Sequence, residues 1–153
     1  MAYIDSNEVL SDSQNIYASG ADVVSTNILD LAPHLAANVD PKYDFGPGEE
    51  AVVVATINTA VSGGTSIQPV LQTDTNTGFA TAMVEFPLGP AVPVASAVAG
   101  YTWRMRIPAS GLKRYLRIAW RNVGANTAGV GSASIQKDPQ NNNTQSAGCF
   151  YVG

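Results

Sequence analysis

The sequence contains few of the side chains that most often carry chemistry, with one cysteine and one histidine among 153 residues. The single Cys149 excludes an intramolecular disulfide and a zinc site built from several cysteines. His34 has neither the second histidine of a zinc site nor the serine partner of a nucleophile. We therefore predict no catalytic residue, no cofactor and no metal site, and we do not expect an enzyme.

Charge is also scarce, because only 13% of the residues are Asp, Glu, Lys or Arg, about half of the usual share of roughly 25%. No run of about 18 apolar residues occurs, so we expect no membrane span and no membrane partner. The first residues lack the basic and then apolar pattern of a secretion signal. We expect a protein made in the cytoplasm of the cell that produces it.

The charges that are present are placed unevenly along the chain. Residues 1–50 hold nine acidic side chains and one lysine, whereas residues 101–121 hold six basic side chains and no acid. One interpretation is a surface for a charged partner, and the other is two neighbouring strands that neutralise each other. Nucleic acid is not the expected partner, because the net charge is −4 and domains that bind it are usually basic.

Apolar and polar residues alternate with a period of two, which is typical of half-buried strands. Residues 101–121 give the clearest case and predict a hairpin whose turn lies at residues 108–111. Trp103 and Trp120 fall on its apolar inner face, and its outer face is basic. This outer face and the apolar end of the chain supply the candidate partner-binding residues: Arg104, Arg106, Arg114, Arg117, Arg121, Phe150 and Tyr151.

Six further strands are predicted, at residues 2–10, 23–31, 51–60, 66–73, 79–86 and 130–137. Pro69 cannot donate a ladder hydrogen bond, so its strand is expected at a sheet edge or with a bulge. About eight short strands at this spacing predict an all-β fold of two antiparallel sheets. Jelly-roll and immunoglobulin-like sandwiches, or a barrel, are its leading forms.

The end of the chain differs from the rest, because residues 138–148 are polar and rich in asparagine and the next four are mostly apolar. We divide the chain into a sandwich domain, residues 1–137, and a C-terminal arm, residues 138–153. The apolar tip either docks on a neighbouring subunit or partner, or completes the protein's own sheet.

Residues 74–78 approach a calcium-loop pattern but lack its required glycine, so they predict a turn.

Four stretches resemble the capsid cement, or decoration, proteins of tailed bacteriophages. They are YIDSNEVLSDSQ at 3–14, STNILDL at 25–31, LQTD at 71–74 and KRYLR at 113–117. The resemblance covers residues 3–136 and implies a jelly-roll fold and a small homo-oligomer, for which we prefer a dimer to a trimer. It also implies a place on the virion exterior, where the protein clamps adjacent major capsid subunits, and it brings no catalytic residues.

The main alternative is a carbohydrate-binding or host-attachment β-sandwich module. Such a module commonly presents exposed aromatic rings to a sugar. Trp103 and Trp120 both fall on predicted inner faces, so they are expected in the core.

Overall fold

A computed structural model describes residues 9–31, 51–108 and 111–137 of the chain. These residues form antiparallel strands and one short 3-10 turn at Val94–Ser96. The strands are β1 (Val9–Asn15), β2 (Val23–Val24), β3 (Leu29–Asp30), β4 (Ala51–Gly63), β5 (Ser66–Asp74), β6 (Val84–Pro87), β7 (Val92–Pro93), β8 (Thr102–Arg106), β9 (Tyr115–Val123) and β10 (Asn126–Lys137).

Within this described part the strands form two sheets, a four-stranded one in the order β1-β10-β4-β8 and a six-stranded one. In the second sheet, β2 and β3 pair along one side of β9, β5 pairs along the other, and β6 and β7 pair with β5. With β2–β3 and β6–β7 each counted as one interrupted strand, eight strands follow the orders 1-8-3-6 and 2-7-4-5. This is the strand order of a jelly roll. The predicted all-β, two-sheet, jelly-roll-like fold is therefore confirmed.

The core lies between the two sheets, where alternate residues of the facing strands are buried. The central strands β4 and β9 supply its middle with six fully buried side chains: Val53, Ala55, Ile57, Leu116, Ile118 and Trp120. The ring of Trp120 packs edge-on against Trp103 of β8, with 6.3 Å between centroids. Both tryptophans face the core, as the alternation predicted.

The hairpin predicted for residues 101–121 is wrong. β8 pairs with β4 in the four-stranded sheet, whereas β9 pairs with β5 in the other sheet. Alternation shows that a segment is a half-buried strand, but it does not specify which strand lies beside it. The connection therefore crosses between the sheets, and Trp103 and Trp120 meet across the core.

The prediction that Pro69 marks an edge or a bulge is also wrong, because β5 is an interior strand. Pro69 lies opposite the gap between β6 and β7, where its carbonyl accepts a hydrogen bond from the N–H of Leu88 at 3.0 Å. The N–H and C=O of a strand residue point to the same side. The missing proline donor therefore faces the gap, and no ladder hydrogen bond is lost.

Two predicted strands are shorter in the structure. Residues 23–31 are divided into β2 and β3, and the strand predicted at 79–86 covers only Val84–Pro87. Phe79 instead lies in the preceding connection with a φ of +50°, and its side chain is buried. The alternation there arose from a folded turn segment and not from extended backbone.

Candidate interaction surfaces

The outer face of β9 and its preceding turn carry three of the predicted partner-binding arginines, Arg114, Arg117 and Arg121, which we call the β9 arginine row. Arg114 pairs with Asp30, since its Nε and Nη2 donate to the two carboxylate oxygens at 2.9 Å each. Asp30 lies in β3, which pairs with the beginning of β9. The pairing of β3 with β9 therefore places Asp30 beside Arg114.

Arg121 is held in the same way from both sides of its strand. Its Nη2 donates to the two carboxylate oxygens of Glu85 at 2.9 and 3.0 Å, and lies 3.5 Å from Asp22. The hydrogen bond to Glu85 raises the pKa of Arg121 above its ordinary value. A hydrogen bond from Gln72, opposed by burial and aided by Arg121, holds the pKa of Glu85 below its ordinary value.

Arg117, between them, contacts an amide and an aromatic ring. Its Nε donates to Gln72 Oε1 at 2.7 Å, and its guanidinium carbon lies 4.0 Å from the centroid of Phe79. Partial burial lowers the pKa of Arg117 from its ordinary value, against the opposing effect of Asp22 and Asp74. Phe79 thereby covers part of the outer face of the sheet.

These contacts account for part of the uneven charge along the sequence. Asp22 and Asp30 come from the acidic first third of the chain and reach Arg121 and Arg114 because β2 and β3 pair with β9. The interpretation of two neighbouring, neutralising segments is correct for these residues. That the β9 arginine row binds a partner stays a prediction. All three of its side chains already contact groups of their own chain.

Arg104 and Arg106 lie exposed on β8, on the outer face of the four-stranded sheet. A hairpin would have placed all five arginines on one surface. The sandwich instead places Arg104 and Arg106 on one outer face and the β9 arginine row on the other. The two sheets lie between them and pack about 10 Å apart. Phe150 and Tyr151 lie outside the described residues.

One end of the sandwich is formed by four connections lying side by side, and we call it the apex. It consists of residues 16–22, 61–65, 93–101 and 123–127. Backbone hydrogen bonds join the neighbours: the N–H of Gly20 donates to Gly124 at 2.9 Å, and that of Thr65 donates to Val123 at 2.8 Å. The N–H of Val94 donates to Thr65 at 3.0 Å. The four connections therefore form one continuous surface.

The apex is almost free of charge. Asp22 is its single charged residue, and that carboxylate lies beside Arg121, whereas about one residue in four is charged in an average protein. Apolar side chains are exposed there, with Tyr17 at 38%, Val98 at 52% and Val123 at 49% of their full exposure. Exposed apolar side chains on an uncharged surface are typical of a site of protein contact.

Two buried asparagines hold the apex in one arrangement. Asn122 Nδ2 donates to the carbonyls of Ile16 at 3.1 Å and Ala21 at 3.2 Å, and its Oδ1 accepts from Asn126 Nδ2 at 2.6 Å. Asn126 Nδ2 also donates to the carbonyl of Ser66 at 3.3 Å. Connections that are already ordered lose less entropy when a partner binds.

The sequence showed the turns of the apex but not the surface that they form. The glycines at positions 63, 64 and 124 are typical of turns. That these turns meet residues 16–22 depends on strand pairing across the whole chain. The low charge that the four segments share was the sequence signal that could have indicated a common surface.

The turn at residues 74–78, which approaches a calcium-loop pattern, has a structural role, whereas His34 and Cys149 lie outside the described residues. Asp74 closes the turn predicted for residues 74–78, where its carboxylate accepts hydrogen bonds from the N–H groups of Thr75 and Ala82. Burial favours the neutral acid, but these and other N–H donors outweigh it, so the pKa of Asp74 lies below its ordinary value. Within residues 9–31, 51–108 and 111–137, no three His, Cys, Asp or Glu side chains cluster to hold a metal ion.

Trp103 and Trp120 are 4% and 0% exposed, so neither presents a ring to a sugar. No helix in the described part of the chain has the length and apolar character needed to cross a membrane. No protein-family model matches the chain, and no curated protein matches it either. The fold defines the class as a jelly-roll β-sandwich, and this fold serves many functions.

Proposed function

We propose that this chain is a decoration protein of a tailed-phage capsid, which binds the outside of the head and clamps adjacent major capsid subunits. The observation that carries the proposal is the agreement between the sequence resemblance and the strand order. The resemblance implies a jelly roll, and the described residues have the pairing of one. Jelly rolls occur widely in viral capsids as well as in lectins.

We assign the contact with the capsid to the apex. Its hydrogen-bonded turns and exposed Tyr17, Val98 and Val123 suit a neighbouring protein surface that is itself largely uncharged. Each contact of this kind is modest, but many copies on one lattice bind collectively. A protein that binds only the assembled shell stabilises that shell by mass action.

The proposal is tested by adding the purified protein to phage heads that lack it and measuring the temperature at which the heads disrupt. Saturating wild-type protein is expected to raise this temperature. The absence of any rise would overturn the proposed function.

The apex is tested in the same assay with Val98→Asp and Val123→Asp together, and Val24→Asp as the control. All three valines are exposed, and exposed substitutions usually change stability by no more than about 0.5 kcal/mol. The apex variant is expected to lose the rise while Val24→Asp keeps it. A normal rise with the apex variant would move the contact elsewhere, and Arg104→Ala with Arg106→Ala would then test the predicted arginines.

The tryptophans do not support the carbohydrate-binding alternative, because both side chains are buried in the core. A sugar platform built on Trp103 or Trp120 would require the sandwich to open. Any contact with a glycan must therefore use another surface.

A further inference from the structure

The outer face of the four-stranded sheet holds a trough of about 290 Å³ between β1, β10 and β4. Its lining includes Ser11, Asp12, Val54, Thr56, Ser134 and Gln136. The trough belongs to the face of the sheet and not to the apex.

Ser11 is the unusual residue of this trough. The register between β1 and β10 shifts on both sides of it, and its side chain is only 1% exposed. Within the described part of the chain, Ser11 Oγ is one of three buried side-chain atoms that have no hydrogen-bond partner. A buried hydroxyl without a partner is costly, so such groups usually have one in the native state or in a complex.

The other lining groups both donate and accept hydrogen bonds. Thr56 Oγ1 shares a hydrogen bond with Thr102 Oγ1 at 3.2 Å, and Ser134 Oγ accepts from Gln136 Nε2 at 3.1 Å. Each hydroxyl keeps the capacity for a further hydrogen bond, and the amide oxygen of Gln136 can accept from a ligand. Val54 adds an apolar patch. Asp12 is the single charged residue in the described lining, and Arg104 of the neighbouring β8 pairs in register with Val54. The carboxylate of Asp12 disfavours an anion inside the trough.

We propose that this trough binds one ring of a neutral saccharide. Sugar hydroxyls donate and accept at the same atom, as the hydroxyls of Ser11, Thr56 and Ser134 do, and the C–H face of a sugar can pack on Val54. The volume lies at the lower limit of ligand pockets, which is roughly 300 Å³, and so admits a single ring. This site goes beyond capsid binding and would give the decorated head a second contact, with a glycan.

The test uses the ¹⁵N-labelled full chain, titrated with the methyl glycosides of glucose, galactose, mannose and N-acetylglucosamine. For at least one of these, chemical-shift changes are expected at the amides of residues 11, 56 and 134. Methyl glucuronide has the same ring as the glucoside with a carboxylate added, and it is expected to bind more weakly because of Asp12.

Ser11→Ala removes only the unpartnered hydroxyl, so the fold should be unaffected or slightly more stable. It is expected to weaken glycoside binding by about tenfold, the loss of roughly one hydrogen bond. Ser96→Ala, at an exposed position in the apex, is the control and should bind as the wild type does.

Three results would overturn the proposal. They are no shift at these amides with any neutral glycoside, binding that Ser11→Ala leaves unchanged, and equal or tighter binding of the glucuronide. None of them bears on capsid binding, because that assay contains no glycoside.

Discussion

The side-chain amide of Gln14 donates a hydrogen bond to the backbone carbonyl of Val24 at 2.7 Å and so joins one sheet to the other. Gln14 lies in β1 of the four-stranded sheet, and Val24 lies in β2 of the six-stranded sheet. The Oε1 of Gln14 also accepts from the N–H and the hydroxyl of Thr26, at 3.2 and 3.1 Å. Asn27 returns the link, because its Nδ2 donates to the carbonyl of Val9 at 2.9 Å.

Of these residues, Val9, Gln14, Thr26 and Asn27 belong to two of the stretches that carry the resemblance to decoration proteins. Their polar side chains are used to close an edge of the sandwich. Within the six-stranded sheet, Ser25 joins the end of β2 to β9, since its Oγ accepts from the N–H of Ile118 at 3.1 Å. These contacts show that residues of both stretches help to build the jelly roll.

Gln14→Ala should destabilise the protein by about 1–3 kcal/mol, because it removes three hydrogen bonds and leaves their partners to water. The free energy of unfolding, from equilibrium urea denaturation, is the measurement. Asn15→Ala, at the exposed neighbouring position, is the control and should change the free energy by no more than about 0.5 kcal/mol. Equal losses from the two variants would contradict a specific link between the sheets.

Gly64→Ala should cost much more than Gly20→Ala, although both glycines have a left-handed backbone, with φ of +61° and +65°. At Gly64 a Cβ would lie 1.8 Å from Asn126 Oδ1, whereas no described atom lies within 4 Å of a Cβ at Gly20. Backbone strain alone costs about 1–2 kcal/mol. Overpacking adds about 1–3 kcal/mol at Gly64, for a total of about 2–5 kcal/mol.

Thermal and urea unfolding of the two glycine variants provide the comparison. Similar losses would mean that backbone strain dominates at both positions and that Asn126 can move aside. A larger loss for Gly64→Ala would support an apex that is fixed by its buried asparagines.

Glu85 should make stability depend on pH in the acidic range. Its pKa in the folded protein lies below the ordinary value of 4.5, so the unfolded chain takes up the proton first as the pH falls. The stabilisation is therefore complete above about pH 4.5 and is lost as the pH falls through the folded pKa. Asp74 acts in the same direction below its ordinary value of 3.8.

The measurement is urea unfolding of the wild type and of Glu85→Gln between about pH 7 and about pH 3. Glu85→Gln should be less stable than the wild type at neutral pH, and its stability should fall less steeply toward acid. A variant curve parallel to that of the wild type would show that Gln72 and Arg121 do not favour the charged form of Glu85.

The sequence by itself determined the local features of this protein. Alternation predicted β8 and β9 and placed Trp103 and Trp120 on inner faces, because the period of a strand depends only on neighbouring residues. The turn formers at residues 74–78 predicted a tight turn for the same local reason. The prediction from alternation failed at residues 79–86, because a turn segment with a buried Phe79 has the same alternating pattern as a strand.

Only the tertiary structure decided which strands lie together and what their surfaces became. Arg114 and Asp30 are 84 positions apart, and no local pattern specifies that β3 pairs with β9. The pairing of β8 with β4 and of β9 with β5 placed Arg104 and the β9 arginine row on opposite faces. The whole fold also brought four connections that hold a single charged residue into one apex. Contacts between distant segments arise from the packing of the whole core, and for that reason the site could not be predicted with the strands.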